Sequence, residues 1–183
     1  YPRFQVEAET LRRELNTNLG LNIESLRYIN VYDLFGFSDE LVEKSRYSVF
    51  GEVVTDSVTD ECDMAGMPFL AVEFLPGQFD QRAASAVDCV HLIEPNAEVK
   101  IKSSRLYIFD KSVDEAAMAR IEKYLINAVE SRKKNLDLLT DAESAEIKPV
   151  AVLEGFRDMK EEDLAPYCKD NGLAMNADDL REV

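Results

Sequence analysis

A turn between an apolar strand and a helix is the first place in this sequence where binding chemistry is conceivable. The stretch FLPGQFDQRAASAVDC, residues 74–89, passes through one glycine turn to a charged patch that opens a helix. The free amides at a helix N-terminus can hold a phosphate, but phosphate loops use several glycines so that the backbone can approach the anion. Gly77 is the only glycine here. The stretch therefore favours an architectural turn, in which Gly77 supplies a permissive backbone and Asp80 caps the helix.

The other reactive side chains form no catalytic pattern. The single histidine, His91, has no serine or cysteine nucleophile beside it and lies at the edge of an apolar helix face. Cys62, Cys89 and Cys168 are far apart and lack CxxC spacing, which argues against zinc. Cys168 also lacks the glycine-flanked turn and the nearby histidine of a glutaminase nucleophile. We predict no catalytic residue, no metal ligand and no cofactor-binding residue in this chain.

The charge of the chain limits its partners. Its 183 residues include 36 acidic and 21 basic ones, for a formal net charge of −15. Such a surface repels phosphate backbones and anionic lipid, so we expect neither nucleic acid nor a membrane as a partner. No apolar run approaches the about 20 residues that span a bilayer. The few cysteines predict a reducing, cytoplasmic setting.

Periodicity predicts the elements of the first part of the chain. Apolar spacing indicates a helix over Val6–Leu19 that stops at Gly20, and residues 25–35 have the β-branched and aromatic composition of a strand. Ser38 is placed to cap a second helix. Residues 52–63 are predicted to pair as an irregular edge strand.

A second set of elements follows in the same order. A strand is predicted over Phe69–Phe74, a helix over residues 79–90 and a long strand over residues 99–109. Ser112 is then placed to cap a helix that runs to about Leu125. Residues 127–135 are predicted to be irregular.

The two sets are copies of one pattern. Several residues recur after 75 or 76 positions, namely Phe4 at Phe79, Ala8 at Ala83, Asp39-Glu40 at Asp114-Glu115, Phe50 at Ile126 and Val53 at Val129. We predict an α+β domain over residues 1–140, whose two related halves (about 1–64 and 68–135) pack helices on an antiparallel sheet. The second half opens with a strand that the first half lacks, so we expect a strand before Tyr1.

Residues 141–183 differ in character and are predicted to form a linker region. Two short helical patterns occur there, one after Lys160 and one capped by Asn176. The second helix begins so close to the last residue that we expect it to have nothing to pack on. That expectation predicts a linker truncated before a further domain.

Three segments together resemble the N-terminal region of the large, single-chain form of phosphoribosylformylglycinamidine synthase. They are FLPGQFDQRAASAVDC, NAVESR (residues 127–132) and GLAMNADDL (residues 172–180), and the stretches RFQVEAETLRREL and NVYDLFGFSDEL are similar to that family as well. Two positions depart from the family pattern. Ala84 replaces the usual acidic residue and Ala128 replaces the usual proline.

The resemblance implies a function in de novo purine biosynthesis. The family is an ATP-dependent glutamine amidotransferase, which converts formylglycinamide ribonucleotide, ATP and glutamine to the amidine. Its N-terminal domain is similar to a dimer of the small subunit of multi-chain versions, which agrees with the repeat. By resemblance, this chain is a non-catalytic piece whose partners are the synthase and glutaminase domains of the same polypeptide. ATP and Mg²⁺ belong to the full-length enzyme.

The polar residues of the glycine turn are our candidates for the inter-domain interface. Backbone needs explain only Gly77 and Asp80, whereas the helix that follows presents Arg82 on a polar face with Ser85 and Cys89. The predicted interface residues are Gln78, Asp80, Gln81, Arg82, Glu130 and Arg132.

Two other functions stay open at this point. A regulatory small-molecule-binding module with repeated βαβ units would take a ligand at the turn Leu75-Pro76-Gly77. A free-standing enzyme would show turnover without any further domain.

Overall fold

Helices and strands alternate in the first of the two units into which the chain divides, Tyr1–Ala145 and Glu146–Val183. The computed structural model describes residues 5–64, 66–140 and 155–182. The predicted α+β class, with helices packed on an antiparallel sheet, is confirmed. The elements of the first unit are α1 (Val6–Leu19), β1 (Leu26–Phe35), α2 (Asp39–Ser45), β2 (Phe69–Phe74), α3 (Gln81–Ile93), β3 (Lys100–Phe109), α4 (Glu115–Leu125) and β4 (Ser131–Lys133).

Local signals set most of the helix ends. Helix α1 stops at Gly20, whose φ of +58° is the left-handed conformation that glycine adopts without strain. Ser38 caps α2 as predicted, because its hydroxyl accepts the amide of Leu41. The predicted cap of α4 is wrong. Asp114 caps that helix by accepting the amide of Ala117 at 2.8 Å, whereas Ser112 donates its hydroxyl to the carbonyl of Asn22.

The predicted edge strand over residues 52–63 is also wrong. The segment begins with a turn in which the amide of Asp56 donates to the carbonyl of Glu52 at 2.8 Å. The carboxylate of Asp56 in turn accepts the amide of Glu52 at 3.0 Å. Short polar side chains bond to nearby backbone in this way and compete with strand pairing. Residues 127–135, by contrast, include the short strand β4.

The pairing of β1 with β3 joins the two halves of the repeat. The strand order is β1-β3-β2-β4, and every pair is antiparallel. Strands β1 and β3 pair from Leu26 opposite Phe109 onward, and at the centre Asn30 lies opposite Arg105. Since Asn30 and Arg105 are 75 positions apart, the repeat offset exchanges the two strands and preserves their pairing. The sheet therefore has an internal two-fold axis through this pair.

Four helices lie on one face of the sheet, and each packs beside a helix of the other half. Helix α1 contacts α4, and α2 contacts α3. The first pair encloses a core around Leu15, Phe109 and Ile121, to which β2 adds Leu70 and Val72. The second core contains Leu41, Ala83, Ala86, Val90 and Ile101. Each core therefore contains residues from both halves.

A buried lysine joins three segments on the opposite face of the sheet. Lys134 is only 7% exposed, and its ammonium group pairs with Asp33 of β1 and lies 3.6 Å from Glu73 of β2. Its backbone amide also donates to the carbonyl of Ala71 at 2.8 Å. A buried charge needs such partners, because its hydration is lost. This lysine fixes the segment after β4 against the sheet.

Replacing Lys134 should destabilise the domain far more than replacing its neighbour. Lys134→Met leaves Asp33 without its cation, and we expect the free energy of unfolding to fall by about 3 kcal/mol. The matched control is Lys133→Met, which removes a half-exposed ion pair with Glu122 and should cost about 1 kcal/mol or less. Urea unfolding followed by circular dichroism measures both. Equal losses would contradict the assigned role of the buried lysine.

A carboxylate ties the start of β1 to the end of β3. Asp110 accepts the backbone amides of Glu24, Ser25 and Ser112, each at 2.8 Å. Partial burial acts to raise the pKa of Asp110, but the hydrogen bonds from Ser112, Ser25 and Glu24 outweigh it and lower the pKa to about 2. The ionised form is therefore the one that the fold stabilises.

The stability that Asp110 contributes should decrease as the pH falls below the ordinary carboxyl pKa. A lowered carboxyl pKa stabilises the fold above the ordinary value of 3.8, and this stabilisation is lost as the pH falls toward 2. We expect Asp110→Asn to be less stable than the parent at pH 6, and the gap to narrow between about pH 4 and pH 2. Thermal unfolding across this range measures the gap. The control is Ser85→Ala, at an exposed position of α3 that carries no titratable group, and its stability difference from the parent should stay constant over this pH range.

The second unit contains a pair of short helices, α5 (Glu161–Asp170) and α6 (Ala177–Arg181). Asn176 caps α6 as predicted, in a reciprocal arrangement with Asp179. The expectation that α6 has nothing to pack on is wrong, because Leu180 packs against Leu164 and Cys168 of α5. Residues 141–154 of the predicted linker lie outside the described residues.

Candidate functional site

Two segments far apart in sequence meet at one corner of the first unit, which we call the glycine corner (residues 75–82 and 127–132). The amide of Leu75 donates to the carbonyl of Glu130 at 2.9 Å, and the side-chain amide of Gln78 reaches the carbonyl of Val129 at 3.3 Å. Gly77 adopts a φ of +85°, as its predicted turn role requires. The corner therefore brings together two of the segments that carry the family resemblance.

Asp80 is the residue that fixes this corner to the sheet. One carboxylate oxygen accepts the amide of Ala83 at 2.9 Å, which confirms the predicted helix cap, and also the hydroxyl of Ser103 at 2.8 Å. The other oxygen accepts the amide of Ser103 at 2.8 Å. These donors belong to α3 and β3. The carboxylate that we predicted for a partner is thus engaged inside the domain, where it orients the first turn of α3.

Substitution of Asp80 should destabilise the domain, whereas substitution of its exposed neighbour Gln81 should not. Asp80→Ala removes a helix cap and leaves the Ser103 amide without its acceptor, so we expect a loss of about 1–3 kcal/mol in the free energy of unfolding. Gln81→Ala changes an exposed residue next to it and should alter stability by about 0.5 kcal/mol or less. Denaturant unfolding of both variants tests this. A neutral Asp80→Ala would show that the corner is held by other contacts.

A cleft of about 710 Å³ opens beside the corner on the helix-covered face of the sheet. Gln81, Arg82 and Glu130 of the predicted set line it, together with Ser85 and Cys89 from the same polar face of α3. The floor comes largely from β1 and β3 near the two-fold axis of that pair. It includes Tyr32, Ser103, Ser104, Arg105 and Tyr107.

Two arginines, Arg82 and Arg105, line the cleft together with two glutamates, Glu73 and Glu130. The guanidinium of Arg82 lies 3.4 Å from the hydroxyl of Tyr32, and this contact raises the pKa of Arg82. Burial raises the pKa of Tyr107, and the nearby Arg105 acts in the opposite direction. Within the described parts of the chain, neither Arg82 nor Arg105 forms an ion pair with a carboxylate. Both guanidinium groups are exposed and able to meet an anionic group from outside.

The predicted interface set does not form one surface. Gln78 lies exposed on the rim of the corner. Arg132 lies opposite Glu73 in the β2–β4 pairing and bonds its carboxylate at 2.8 Å. That side of the sheet also holds Lys134, whose ammonium group lies 3.6 Å from the same carboxylate. Because residues along a strand alternate between faces, Arg132 points away from the cleft that Arg82 lines.

Sequence reasoning missed the floor of the cleft. Arg105 stands in the strand KIKSSRLYIF at the same parity as Ile101 and Tyr107, both of which are buried under the helices. The alternation of side chains along β3 alone could have placed this arginine on the helix-covered face and so marked it as unusual. Tyr32 and Tyr107 are also related by the 75-residue offset. The pairing of β1 with β3 is what places both of them in one cleft.

Neither a metal site nor a membrane-spanning helix is found among the described residues. The described residues contain no group of three or more His, Cys, Asp or Glu side chains able to hold a metal ion. None of the helices that the structure describes combines the length and the apolar character needed to cross a membrane. No protein-family model matches the chain, and comparison with curated proteins gave no match either.

Proposed function

We propose that this chain is the N-terminal assembly domain of a phosphoribosylformylglycinamidine synthase. In this proposal it is non-catalytic and joins the synthase and glutaminase domains of one polypeptide, so that ammonia passes between them without loss to water. The observation that carries the proposal is the glycine corner. Two segments that resemble the family are about 50 residues apart in sequence and are hydrogen-bonded to each other there.

The internal symmetry of the sheet supports the same proposal. The resemblance implies a domain similar to a dimer of small subunits, and such a dimer has a two-fold axis. Here β1 and β3 pair about an axis at Asn30 and Arg105, and each helix pair contains one helix from each half. The relation between these strands and helices is compatible with that between two subunits of a symmetric dimer.

The corner also has the physical properties of a docking surface. Asp80 holds the start of α3 rigidly against β3, while Gln81, Arg82 and Glu130 stay exposed around the cleft. Rigid presentation of polar groups lowers the entropy lost on association. An arginine without an internal carboxylate partner can form a two-point contact with an acidic group of another domain.

The proposal places the enzyme in the cytosol and its chemistry outside these residues. All three cysteines are free thiols, which is compatible with a reducing compartment. ATP and Mg²⁺ would bind in the synthase domain, and the nucleophile for glutamine would lie in the glutaminase domain.

The proposal is tested by double substitution of the exposed corner in the full-length enzyme. We expect Gln81→Ala with Arg82→Ala to lower the glutamine-dependent rate by roughly 5- to 10-fold, a usual size for coupling between sites. Added ammonia bypasses the glutaminase, so the ammonia-dependent rate should fall less. The control is Arg13→Ala, which alters a 74% exposed arginine of α1.

Two outcomes would remove the proposal. Unchanged rates with both nitrogen sources would show that the corner is no interface. A reading frame beyond Val183 without synthase and glutaminase motifs would reject the assignment to this enzyme altogether.

A regulatory small-molecule-binding module is a second candidate, favoured by the cleft. Its volume of about 710 Å³ lies in the ordinary range of ligand sites, and Arg82 with Arg105 suits a carboxylate or phosphate. Titration calorimetry of the chain with amino acids and nucleotides distinguishes the candidates. Micromolar binding that is lost in Arg105→Ala would favour the regulatory module, and no binding would favour the assembly domain.

A further inference from the structure

Strand β1 has a hydrogen-bonded neighbour on one side only among the described residues, namely β3. The amide of Asp110 donates to the carbonyl of Ser25 at 3.3 Å, and this pair continues the β1–β3 register. Hydrogen bonding in an antiparallel pair alternates along each strand. The odd-numbered residues of β1 therefore bond to β3, and the even-numbered residues direct their N–H and C=O groups to the outer edge. That edge is about 33 Å long at roughly 3.3 Å per residue.

The two-fold axis relates this outer edge to a site that is occupied. Strand β3 carries β2 on the side away from β1, with Leu70 opposite Tyr107. Rotation about the axis exchanges β1 with β3, so the counterpart of the β2 position is the outer edge of β1. Tyr32, the counterpart of Tyr107, stands at that edge.

Most residues of β1 are more exposed than their counterparts in β3, as an unoccupied position beside β1 predicts. Tyr107 is 5% exposed and Phe109 is 1% exposed. Their counterparts Tyr32 and Leu34 are only half-buried, and Leu26 is the one buried residue of β1. The core under α1 and α4 receives side chains from β2. The core under α2 and α3 receives side chains from β1 and β3, but among the described residues no strand beyond the outer edge of β1 adds to it. The second core is therefore open on that side.

A groove of about 1130 Å³ runs along the same edge. One wall is β1 from Arg27 to Leu34, and the other is the segment 55–63. Shifted by 75 positions, that segment corresponds to residues 130–138, which include β4, the strand that flanks β2. The groove thus lies between counterparts of the two strands that enclose β2.

We propose that the outer edge of β1 is a strand-docking site for one extended segment with the side-chain pattern of β2. The segment runs antiparallel to β1 and adds alternate apolar side chains to the core under α2 and α3. Its residue equivalent to Leu70 lies opposite Tyr32, and its residue equivalent to Val72 lies opposite Asn30. The inference stands apart from the proposed function, because it rests on register, burial and the groove.

The test supplies this segment to the 183-residue chain. A copy of residues 69–75 (FLAVEFL) fused directly before Tyr1 has the same spacing to α1 as β2 has to α3. We expect the amides of Asn30 and Tyr32, which point to the outer edge, to exchange with solvent at least about tenfold more slowly in the fusion. Hydrogen exchange followed by NMR measures each amide. Those of Ile29 and Val31 already face β3 and serve as internal references.

Two variants of the fused copy act as matched controls. Val72→Pro in the copy removes an amide donor at the centre of the new pairing and should abolish the protection. Phe69→Asp in the copy alters a position that is 39% exposed in β2 and should retain it.

Three outcomes would overturn the proposal. Unchanged exchange at Asn30 and Tyr32 would show that the edge takes no strand. Equal protection by the proline copy would show a nonspecific effect of the fusion. Protection that is already present in the unfused chain and rises with concentration, together with a dimer by light scattering, would assign the edge to a second copy of the chain.

Discussion

The pairing of β1 with β3 is the constraint on which the rest of the first unit depends. It joins equivalent strands of the two halves about Asn30 and Arg105, and so fixes the two-fold axis. That axis decides which helices become neighbours, because α1 must lie beside α4 and α2 beside α3. It also decides what lies at the centre of the helix-covered face. Tyr32 and Tyr107, one from each half, lie on either side of Arg105 and form part of the floor of the cleft.

In the glycine corner, neighbouring residues of one short motif have different roles, since some hold the fold and others line the cleft. Gly77 supplies the positive φ of the turn, and the carboxylate of Asp80 accepts hydrogen bonds from α3 and β3. Gln81 and Arg82 follow directly in sequence and line the cleft instead. The first half has Gln5 and Glu7 at the positions of Asp80 and Arg82. The two-fold relation therefore holds for the backbone and is broken in the chemistry of the side chains.

Local signals in the sequence predicted those features that depend on local physics. The leucine spacing and Gly20 gave both ends of α1, and β2 was predicted over its full length. The repeat gave the two-half organisation. The cap of α4 was misassigned because Ser112 and Asp114 are both good capping residues, and the choice between them depends on a contact to Asn22, 90 positions away.

Features that depend on distant pairing were missed. The strand β4 has only three residues, so its alternation was invisible and Arg132 was grouped with residues on the other face of the sheet. Residues 52–63 contain β-branched residues typical of a strand, but a groove separates residues 55–63 from β1, and turn bonds prevail at the start of the segment. Arg105 became a candidate only when β1 and β3 were seen side by side.

The long separation between β1 and its partner also has a consequence during synthesis on the ribosome. Paired residues of β1 and β3 are 65 to 83 positions apart. At translation rates of about 5–20 residues per second, β1 waits roughly 3 to 17 s after its own emergence before its partner is complete. Through that interval the nascent chain exposes a ten-residue strand with two unpaired edges. The second core cannot close until Ile101 has emerged, and the first cannot close until Ile121 has emerged. The first half therefore depends on the second in time as well as in space.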